Sequence, residues 1–374
     1  MAGRSGRDVV PIYAFTGSLT RAMPQYGAAN GEGITRLSFD DETGRLGAVD
    51  RIGGVDDTAW LVTDAARGRL YSTCEITGTR ESAIAAYAVE AGGLRLINRQ
   101  PTLGNEACHA SLSSDGKFLL VANYNGANPE GWPDAALSVF PIADDGSLGA
   151  AVASVRHTGS GPNAARQITA HAHCVVPAPA GDIVYVADLG IDRLVAYRLG
   201  ADGGLTHESA RDFALPPGLG PRHLVFSSDG CAIFMVSELI PTVVSLAVDP
   251  ATGALSQRDA FTIPSRDGGI VQPAGIVLSA DGRHLFVGLR VCNDILALRI
   301  DAATGKLTQT GRWPSGGATP RDLAFSPSGR HLVVANQDAD RLTVFGVDRA
   351  TGTLSEPLQH FDVGTPMSVK LAAF

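Results

Sequence analysis

A unit of about 50 residues recurs along the whole chain, and each copy ends in a Gly-x-Leu turn. Every copy contains a strand ending in small residues, a polar break and a second strand. The closing leucines are 47 to 57 residues apart: Leu46, Leu94, Leu148, Leu205, Leu255, Leu307 and Leu354. A period near 50 residues with four short strands per unit is typical of a β-propeller. We therefore predict an all-β fold, a seven-bladed β-propeller of four-stranded antiparallel blades, forming a single domain over residues 1–374.

The two ends of the chain predict how the ring closes. The final segment, 366–374, matches an innermost strand, but no further strands follow it. The first repeat contains the outer strands of a blade and lacks an inner one. We therefore expect the C-terminal strand to pair with the N-terminal blade, which would remove the exposed edges of the ring.

Charge and composition exclude several classes of partner. The chain has 30 basic and 38 acidic side chains, a net charge of −8, and no long basic stretch. Nucleic acid and anionic membranes are therefore not expected as partners. No apolar run is long enough for a membrane span, and the start lacks a continuous apolar segment, so we expect a cytoplasmic protein. The five cysteines are odd in number and lack CxxC spacing, which favours reduced thiols.

The connections between strands fall into two classes. Those after the inner strand and within the outer hairpin are short and stereotyped, whereas the others are long and irregular. In an up-down-up-down blade these classes lie at opposite ends of the ring. The long loops are 125–134, 157–170, 215–220, 263–272 and 313–318. Variable loops on a rigid scaffold commonly carry function, so we predict a single functional face.

Polar side chains recur where the inner strand begins and the second strand ends. Antiparallel pairing places His109 opposite Asn123, His173 opposite Asp188, Arg222 opposite Glu238, and Arg321 opposite Asn336. Arg290 and Glu75 hold the matching place in two other blades, and His171 and His223 flank it. Such residues can merely hydrate a channel and bond neighbouring blades. Their combination nevertheless predicts a site at one mouth of the channel.

The motifs do not predict a cofactor or a metal. His171 and His173 alternate on one strand and, with a nearby carboxylate, could bind zinc, but the HxH pattern alone is weak evidence. No glycine loop that could hold a phosphate and no Gly-x-Ser-x-Gly motif is present. We therefore expect neither a cofactor nor a metal ion.

Several segments resemble the seven-bladed propeller lactonase family, which includes bacterial 6-phosphogluconolactonases and fungal carboxymuconate lactonizing enzymes. The matching segments are LLVANY (119–124), HTGSGPN (157–163), Arg166 and Gln167 before HAH (171–173), VADLGID (186–192), GPRHLVF (220–226), SEL (237–239), TPRDLAF (319–325) and VANQ (334–337). The resemblance implies a catalytic histidine, two arginines and a glutamate, which are His171 or His173, Arg222, Arg290 and Glu238. Two departures from the family pattern are Leu289 before Arg290 and the inserted segment 128–134.

The resemblance also implies a reaction, hydrolysis of a sugar-acid lactone such as 6-phosphogluconolactone. Glu238 or one of the two histidines would activate water, and Arg222 or Arg290 would stabilise the oxyanion. The expected substrate-binding residues are His109, Asn123, Asp188, His223, Arg321 and Gln337. We expect Glu238→Gln and His173→Ala to abolish turnover and to change the melting temperature little.

Two other functions are compatible with the sequence. The first is cycloisomerisation of a carboxymuconate, in which arginines would bind the carboxylates. The second is a non-catalytic propeller that presents its loop face to another protein, which would require a large exposed apolar patch. Aromatic residues make up only 6% of the chain and few lie on those loops, which disfavours the second alternative.

Overall fold

The computed structural model describes residues 10–22, 29–52, 56–75, 79–126 and 130–374. Their strands form seven antiparallel sheets, which confirms the predicted seven-bladed propeller. Six of the sheets have four strands, and the fourth blade has a short additional one. The innermost strands of neighbouring blades contact one another around a central channel.

The strands follow the chain from the centre of each blade outwards. The first blade contains β1 (Ile12–Ser18), β2 (Ile34–Asp40) and β3 (Arg45–Ile52). The second contains β4 (Thr58–Asp64), β5 (Arg69–Cys74), β6 (Ala83–Glu90) and β7 (Gly93–Pro101), and the third contains β8 (Ala107–Leu112), β9 (Phe118–Asn123), β10 (Leu137–Pro141) and β11 (Ala153–Val155). The fourth contains β12 (Ala172–Pro177), β13 (Ile183–Asp188), β14 (Arg193–Leu199), β15 (Leu205–His207) and the short β16 (Phe213–Ala214).

The remaining blades repeat this order. The fifth contains β17 (Pro221–Phe226), β18 (Ala232–Ser237), β19 (Thr242–Val248) and β20 (Leu255–Thr262), and the sixth contains β21 (Gln272–Leu278), β22 (His284–Arg290), β23 (Asp294–Ile300) and β24 (Leu307–Pro314). The seventh contains β25 (Pro320–Phe325), β26 (His331–Asn336), β27 (Arg341–Asp348) and β28 (Thr353–Asp362), and β29 (Pro366–Ala373) follows it. Short 3₁₀ turns cover Ala65–Arg67, Ser209–Arg211 and Gln337–Ala339.

Strand β29 closes the ring as predicted. It pairs antiparallel with β1, from Ile12 opposite Ala373 to Gly17 opposite Ser368, and is the inner strand of the first blade. Val369 on this strand is fully buried in a cluster with residues of the seventh blade. The closing strand therefore joins the chain ends by backbone hydrogen bonds and by packing.

A bulge near the start of the inner strands changes the predicted register. Ala172, not His173, lies opposite Asp188, and His173 is the extra residue before the ladder resumes at Cys174. The equivalent bulged residues are Ala59, Cys108, Arg222, Arg321 and Met367, and the sixth blade is irregular between Pro273 and Ile276. A bulge inserts one residue into one strand and re-aims its side chain. The four predicted pairs are wrong: Asn123 faces Ala107, Asn336 faces Pro320, and Glu238 follows Ser237, which faces Pro221. In the third and fifth blades the ladder beyond the bulge is also one residue away from the predicted register, since His109 faces Ala122 and His223 faces Val236.

Candidate active site

A polar cavity of about 460 Å³ opens at the end of the channel where the inner strands begin. Its lining consists of Glu75, Glu106, Tyr124, Arg166, His173, Arg222, Glu238, Gln272, Arg290 and Arg321. The residues include four arginines and three glutamates, so the charged lining is positive by one unit. Arg166 lies in the predicted loop 157–170, and Gln272, the last residue of the predicted loop 263–272, begins strand β21.

Two repeated backbone positions supply most of the lining. The first is the bulged residue of the inner strand, which gives His173, Arg222 and Arg321. The second is the residue just beyond the paired end of the second strand. That position gives Glu75, Tyr124 and Glu238, and in the sixth blade the last paired residue of β22, Arg290, follows its strand in the same way and lies opposite Gln272. Because every blade repeats the same geometry, these residues from distant parts of the chain meet around one axis.

The Glu238 carboxylate lies at the centre of three arginines. Its Oε1 accepts from Nη2 of Arg166 at 2.8 Å, and its Oε2 accepts from Nε of Arg222 at 2.9 Å and lies 2.8 Å from Nη2 of Arg290. Gln272 adds a longer hydrogen bond of 3.3 Å. Burial alone would raise the pKa of Glu238, but Arg290, Arg222 and Arg166 hold it well below its usual range. The group is therefore an anion that orients guanidinium groups, and it is a weak base.

The backbone around Arg222 is held by a neighbouring loop. Asp192 accepts hydrogen bonds from the amides of Gly218 at 2.6 Å and Gly220 at 2.7 Å. Gly220 has a φ of +66°, and a Cβ there would lie 2.5 Å from Leu239, so only glycine fits. The carbonyl of Gly220 accepts from the amide of Glu238 at 2.8 Å. The loop before Arg222 is therefore bonded to the backbone of Glu238, the ion-pair partner of Arg222. Burial and Arg290 lower the pKa of Arg222 to about 10, which leaves it cationic at neutral pH.

The loop over residues 157–170 presents Arg166. The side chain of Gln167 accepts from the amide of Asn163 and donates to the carbonyl of Leu189 at 2.8 Å, which anchors the loop. His157, at its start, lies 2.7 Å from Oδ2 of Asp188 and 2.8 Å from the hydroxyl of Tyr197. Residues of the HTGSGPN segment, together with Gln167, therefore hold the loop that presents the guanidinium of Arg166.

His173 and Tyr124 are the uncharged groups that face this cluster. Burial and the nearby Arg222 hold the pKa of His173 well below its usual range, so its imidazole is neutral. Its Nδ1 has no hydrogen-bond partner among the described residues. Burial raises the pKa of Tyr124, whose hydroxyl accepts from Nη2 of Arg166 at 3.2 Å. The cavity therefore holds a neutral imidazole and a phenol beside fixed cations.

The structure brings five of the eleven predicted site residues into this cavity, namely His173, Arg222, Glu238, Arg290 and Arg321. His171 lies behind them: its ring stacks on Tyr124 with centroids 4.3 Å apart, and its Nδ1 is 2.9 Å from the carbonyl of Tyr124. The alternating pattern predicted that the side chains of His171 and His173 point in the same direction. Because His173 is the bulged residue, its side chain lines the cavity and that of His171 does not.

The other predicted residues bond to the backbone or lie deeper in the channel. Asp188 accepts from the amides of His171 and Gly190, and Asn123 donates to the carbonyls of Thr102 and Ala135. Gln337 accepts from Nη1 of Arg321 at 3.4 Å. His109 and His223 line a different cavity at the opposite end of the channel.

Four lining residues were not predicted at this site from the sequence, namely Glu106, Tyr124, Arg166 and Gln272, and Glu75 was predicted at the channel mouth without a role. The corrected register would have revealed Tyr124, since it holds the position of Glu238 in its own blade. Arg166 and Glu106 lie outside strands, so strand pairing carries no signal for them. Among the described residues, no group of three or more His, Cys, Asp or Glu side chains is arranged to hold a metal ion. Likewise, no helix within those residues is long and apolar enough to cross a membrane.

Comparison with known proteins agrees with this architecture. The model of a family described as lactonase, 7-bladed β-propeller, matches residues 14–371. The chain belongs to this lactonase family. A 6-phosphogluconolactonase of Bacillus subtilis is 30% identical over 300 residues, covering 79% of this chain and 82% of that protein. One of Formosa agariphila is 29% identical, covering 82% and 84%.

A solved structure extends the similarity to three dimensions. The periplasmic gluconolactonase PpgL of Pseudomonas aeruginosa superposes on this lactonase-family chain with a TM-score of 0.87 at 30% identity. The match covers 97% of this chain and 99% of the other. The fold and family are therefore shared, and membership of the family supports a lactone hydrolase.

Proposed function

We propose that this protein hydrolyses the lactone of a phosphorylated sugar acid, 6-phosphogluconolactone. The observation that carries the proposal is the presence of four arginines in one cavity, three of them held by a buried carboxylate. Relatives named 6-phosphogluconolactonase support the lactone, and the arginines support the anionic substituent. Guanidinium groups suit phosphate because they donate two hydrogen bonds in a fixed plane.

Arg321 is positioned to bind the anionic end of the substrate. Its Nη2 lies 3.8 Å from Glu75 and its Nη1 3.4 Å from Gln337, so its partners differ from that of the arginines on Glu238. Arg166, Arg222 and Arg290 each place one nitrogen on Glu238 and can offer others to a ligand. We therefore divide the cavity into a region around Arg321 and a region around Glu238 and its three arginines. We assign the phosphate to the former and the lactone ring to the latter.

His173 is the proposed general base. Its imidazole is neutral and lines the cavity, so it can accept a proton from the attacking water. Glu238 is less suited because three arginines stabilise its ionised form. General-base assistance of this kind contributes about 10²–10⁴ in rate. Among the bases that the sequence left open, we therefore propose His173.

Arg222 or Arg290 would stabilise the negative charge that develops on the carbonyl oxygen. One well-aimed donor contributes about 3–4 kcal/mol to such a transition state. The hydroxyl of Tyr124 can assist, because Arg166 donates to its oxygen and leaves its proton to donate elsewhere. Attack of water and cleavage of the ring C–O bond then give a carboxylic acid and an alkoxide. The proton held by His173 passes to the alkoxide, which becomes the alcohol, and the carboxylic acid releases its own proton to solvent to become the carboxylate.

Hydrolysis of a panel of lactones tests this function. The rate with purified protein, after subtraction of spontaneous hydrolysis, should be at least about tenfold higher for 6-phosphogluconolactone than for unphosphorylated gluconolactone. Arg321→Met should reduce this preference mainly through KM. Activity confined to gluconolactone, or only the loss of diene absorbance from a carboxymuconate, would contradict the proposal.

We also propose that the protein acts in the cytoplasm, where a phosphorylated substrate would be retained. The Pseudomonas relative carries the name of a periplasmic enzyme, so the family is not confined to one compartment. Cell fractionation with an antibody to the native chain distinguishes the two locations. Recovery in the periplasmic fraction would overturn the cytoplasmic assignment.

A further inference from the structure

The channel contains a second cavity at its opposite end. It has a volume of about 750 Å³ and shares no lining residue with the catalytic cavity among the residues described. Most of its walls are aliphatic or aromatic side chains, including Val62, Val225, Leu278, Phe325 and Leu371. A tight constriction with a free volume of about 10 Å³ lies between the cavities. A small molecule in one cavity therefore could not pass directly into the other.

The floor of the second cavity is an aromatic cluster. The Trp60 ring lies 4.2 Å from that of His109 and 5.1 Å from that of His223, centroid to centroid. Both histidines are about 95% buried, and burial holds the pKa of each well below its usual range, so neither carries a charge at neutral pH. Flat uncharged rings of this kind suit a planar apolar ligand.

Two charged side chains line this cavity, Lys370 and Asp322, within the described parts of the chain. The ammonium of Lys370 lies 3.7 Å from the centre of the Trp60 ring and 2.5 Å from Oδ2 of Asp322. The Lys370 side chain is 21% exposed, whereas that of Asp322 is 3% exposed. A ligand in the cavity therefore meets the ammonium rather than the carboxylate.

We propose that this cavity is a second binding site, which accepts a small aromatic monocarboxylate. Its ring packs against Trp60 and the two histidines, and its carboxylate binds the exposed side of the Lys370 ammonium. Apolar walls with one fixed polar group are the usual composition of a small-molecule site. The site is separate from the lactone-binding cavity, and its existence does not depend on the reaction proposed above.

His223 connects this site to the catalytic cavity. Its Nε2 lies 3.1 Å from Nη1 of Arg222, and its ring lies 5.3 Å from that of His173. Both partners line the catalytic cavity. A ligand that shifts the His223 ring would therefore change the surroundings of a proposed base and of a proposed anion-binding arginine. Occupancy of one end of the channel is coupled to affinity at the other, and linkage makes that coupling reciprocal.

Titration with benzoate tests binding. Calorimetry should give a dissociation constant of about 1 mM or lower, with benzyl alcohol at least about tenfold weaker because it lacks the charge. Val225→Phe and, separately, Leu278→Phe should fill the cavity and weaken benzoate at least about tenfold, provided that each variant melts cooperatively. The double variant Lys370→Met/Asp322→Asn removes the ion pair without leaving a buried charge and should also weaken binding.

A matched control variant tests whether benzoate binds in the arginine-lined cavity instead. Arg290→Gln should leave the affinity for benzoate within about twofold of the wild type. If instead Arg290→Gln abolishes binding while both filling variants retain it, the carboxylate is bound by the catalytic arginines and the proposal is overturned. Absence of heat or chemical-shift change up to about 20 mM benzoate would also overturn it.

NMR of the imidazole groups tests the coupling. Benzoate should shift the resonances of both His223 and His173 in the wild type, and neither in Val225→Phe. Where the proposed lactonase activity is present, saturating benzoate should change KM for the lactone at least about twofold. The NMR result stands without that activity, so failure of the proposed function is distinguishable from failure of this site. Unchanged His173 resonances at saturation would contradict the coupling.

Discussion

At the scale of single residues, the Glu238 cluster changes what a substitution should do. Glu238→Gln leaves three guanidinium groups without their carboxylate in a buried site. Removing one partner of a buried ion pair costs about 3–5 kcal/mol. We therefore expect lost turnover together with a lower melting temperature, contrary to the small thermal effect expected from the sequence. Urea unfolding measures the loss.

A double variant tests whether the uncompensated positive charge causes the loss of stability in Glu238→Gln. The double variant Glu238→Gln/Arg166→Gln removes one uncompensated cation and should regain at least about 1 kcal/mol relative to Glu238→Gln alone. If the single variant is as stable as the wild type, the carboxylate is not needed to hold the arginines.

The variant Tyr124→Phe tests the contribution of the Tyr124 hydroxyl alone. The phenyl ring keeps the stacking on His171 but loses the hydroxyl beside Arg166. Since one oxyanion-stabilising donor is commonly worth about 10²–10³ in rate, and this donor only assists, we expect kcat to fall about 10- to 100-fold with KM within about threefold. The control is Tyr185→Phe, whose hydroxyl bonds to Gly253 outside the cavity. Equal kinetics of the two variants would remove Tyr124 from the mechanism.

Val291 carries backbone strain beside the arginine-lined cavity. It follows Arg290, has a φ of +70° and is 54% exposed. A β-branched residue resists this conformation, whereas asparagine tolerates it. We expect Val291→Asn to increase the free energy of unfolding by about 1 kcal/mol. Val152→Asn, at an exposed site without a positive φ, should stay within about 0.5 kcal/mol of the wild type, and an equal gain there would refute the strain.

At the scale of secondary structure, β29 should decide whether the ring is closed. Deletion of residues 366–374 removes the hydrogen-bonded partner of β1 and the buried Met367 and Val369. We expect the truncated chain to lose cooperative unfolding and to aggregate, because an unpaired strand edge is exposed. A synthetic peptide of the deleted sequence should restore a cooperative transition when added in excess. A monomeric truncated chain with the wild-type melting temperature would contradict this role.

The elements also show how far sequence could predict the site. The repeat fixed the number of blades, and the missing inner strand of the first repeat predicted the closure. Strand pairing found Arg222 and Glu238 at the correct end of the channel. It misplaced His109 and Asn123 for two reasons: the hairpin register is one residue away from the predicted one, so His109 faces Ala122, and the bulge at Cys108 then places Ala107 opposite Asn123. The sequence pattern of a hairpin does not reveal a bulged residue. Arg166 could not be predicted at the site from strand pairing, because it lies in a loop whose path depends on side-chain hydrogen bonds.

At the scale of the whole molecule, buried histidines should make the free energy of unfolding depend on pH, and three of them lie in the channel. Burial lowers the pKa of His109, His173 and His223 well below 6.5 in the folded state. Below that pH the unfolded chain binds protons that the native histidines do not, so stability falls as pH falls. Each histidine contributes about 1.4 kcal/mol per pH unit at most, or about 4 kcal/mol per unit together.

Urea unfolding between pH 7.5 and 5 measures this slope. His109→Gln should reduce it by up to about 1.4 kcal/mol per pH unit, even if the variant is less stable throughout. Burial also lowers the pKa of His284, which adds to the slope of the wild type and of the variant alike. Carboxylates such as Glu238 protonate in the unfolded state only near pH 4.5, so they do not contribute in this window. A flat profile from pH 6.5 to 5 would mean that the three imidazoles are protonated in the native protein.

The most direct test of the account is a crystal structure with 6-phosphogluconate, the product of the proposed reaction. We predict the phosphate within hydrogen-bonding distance of Arg321, and the carboxylate between His173 and Arg222 or Arg290. The three arginines should remain on Glu238. A product bound at the opposite mouth of the channel, or a carboxylate remote from His173 and both arginines, would contradict the proposed catalytic cavity.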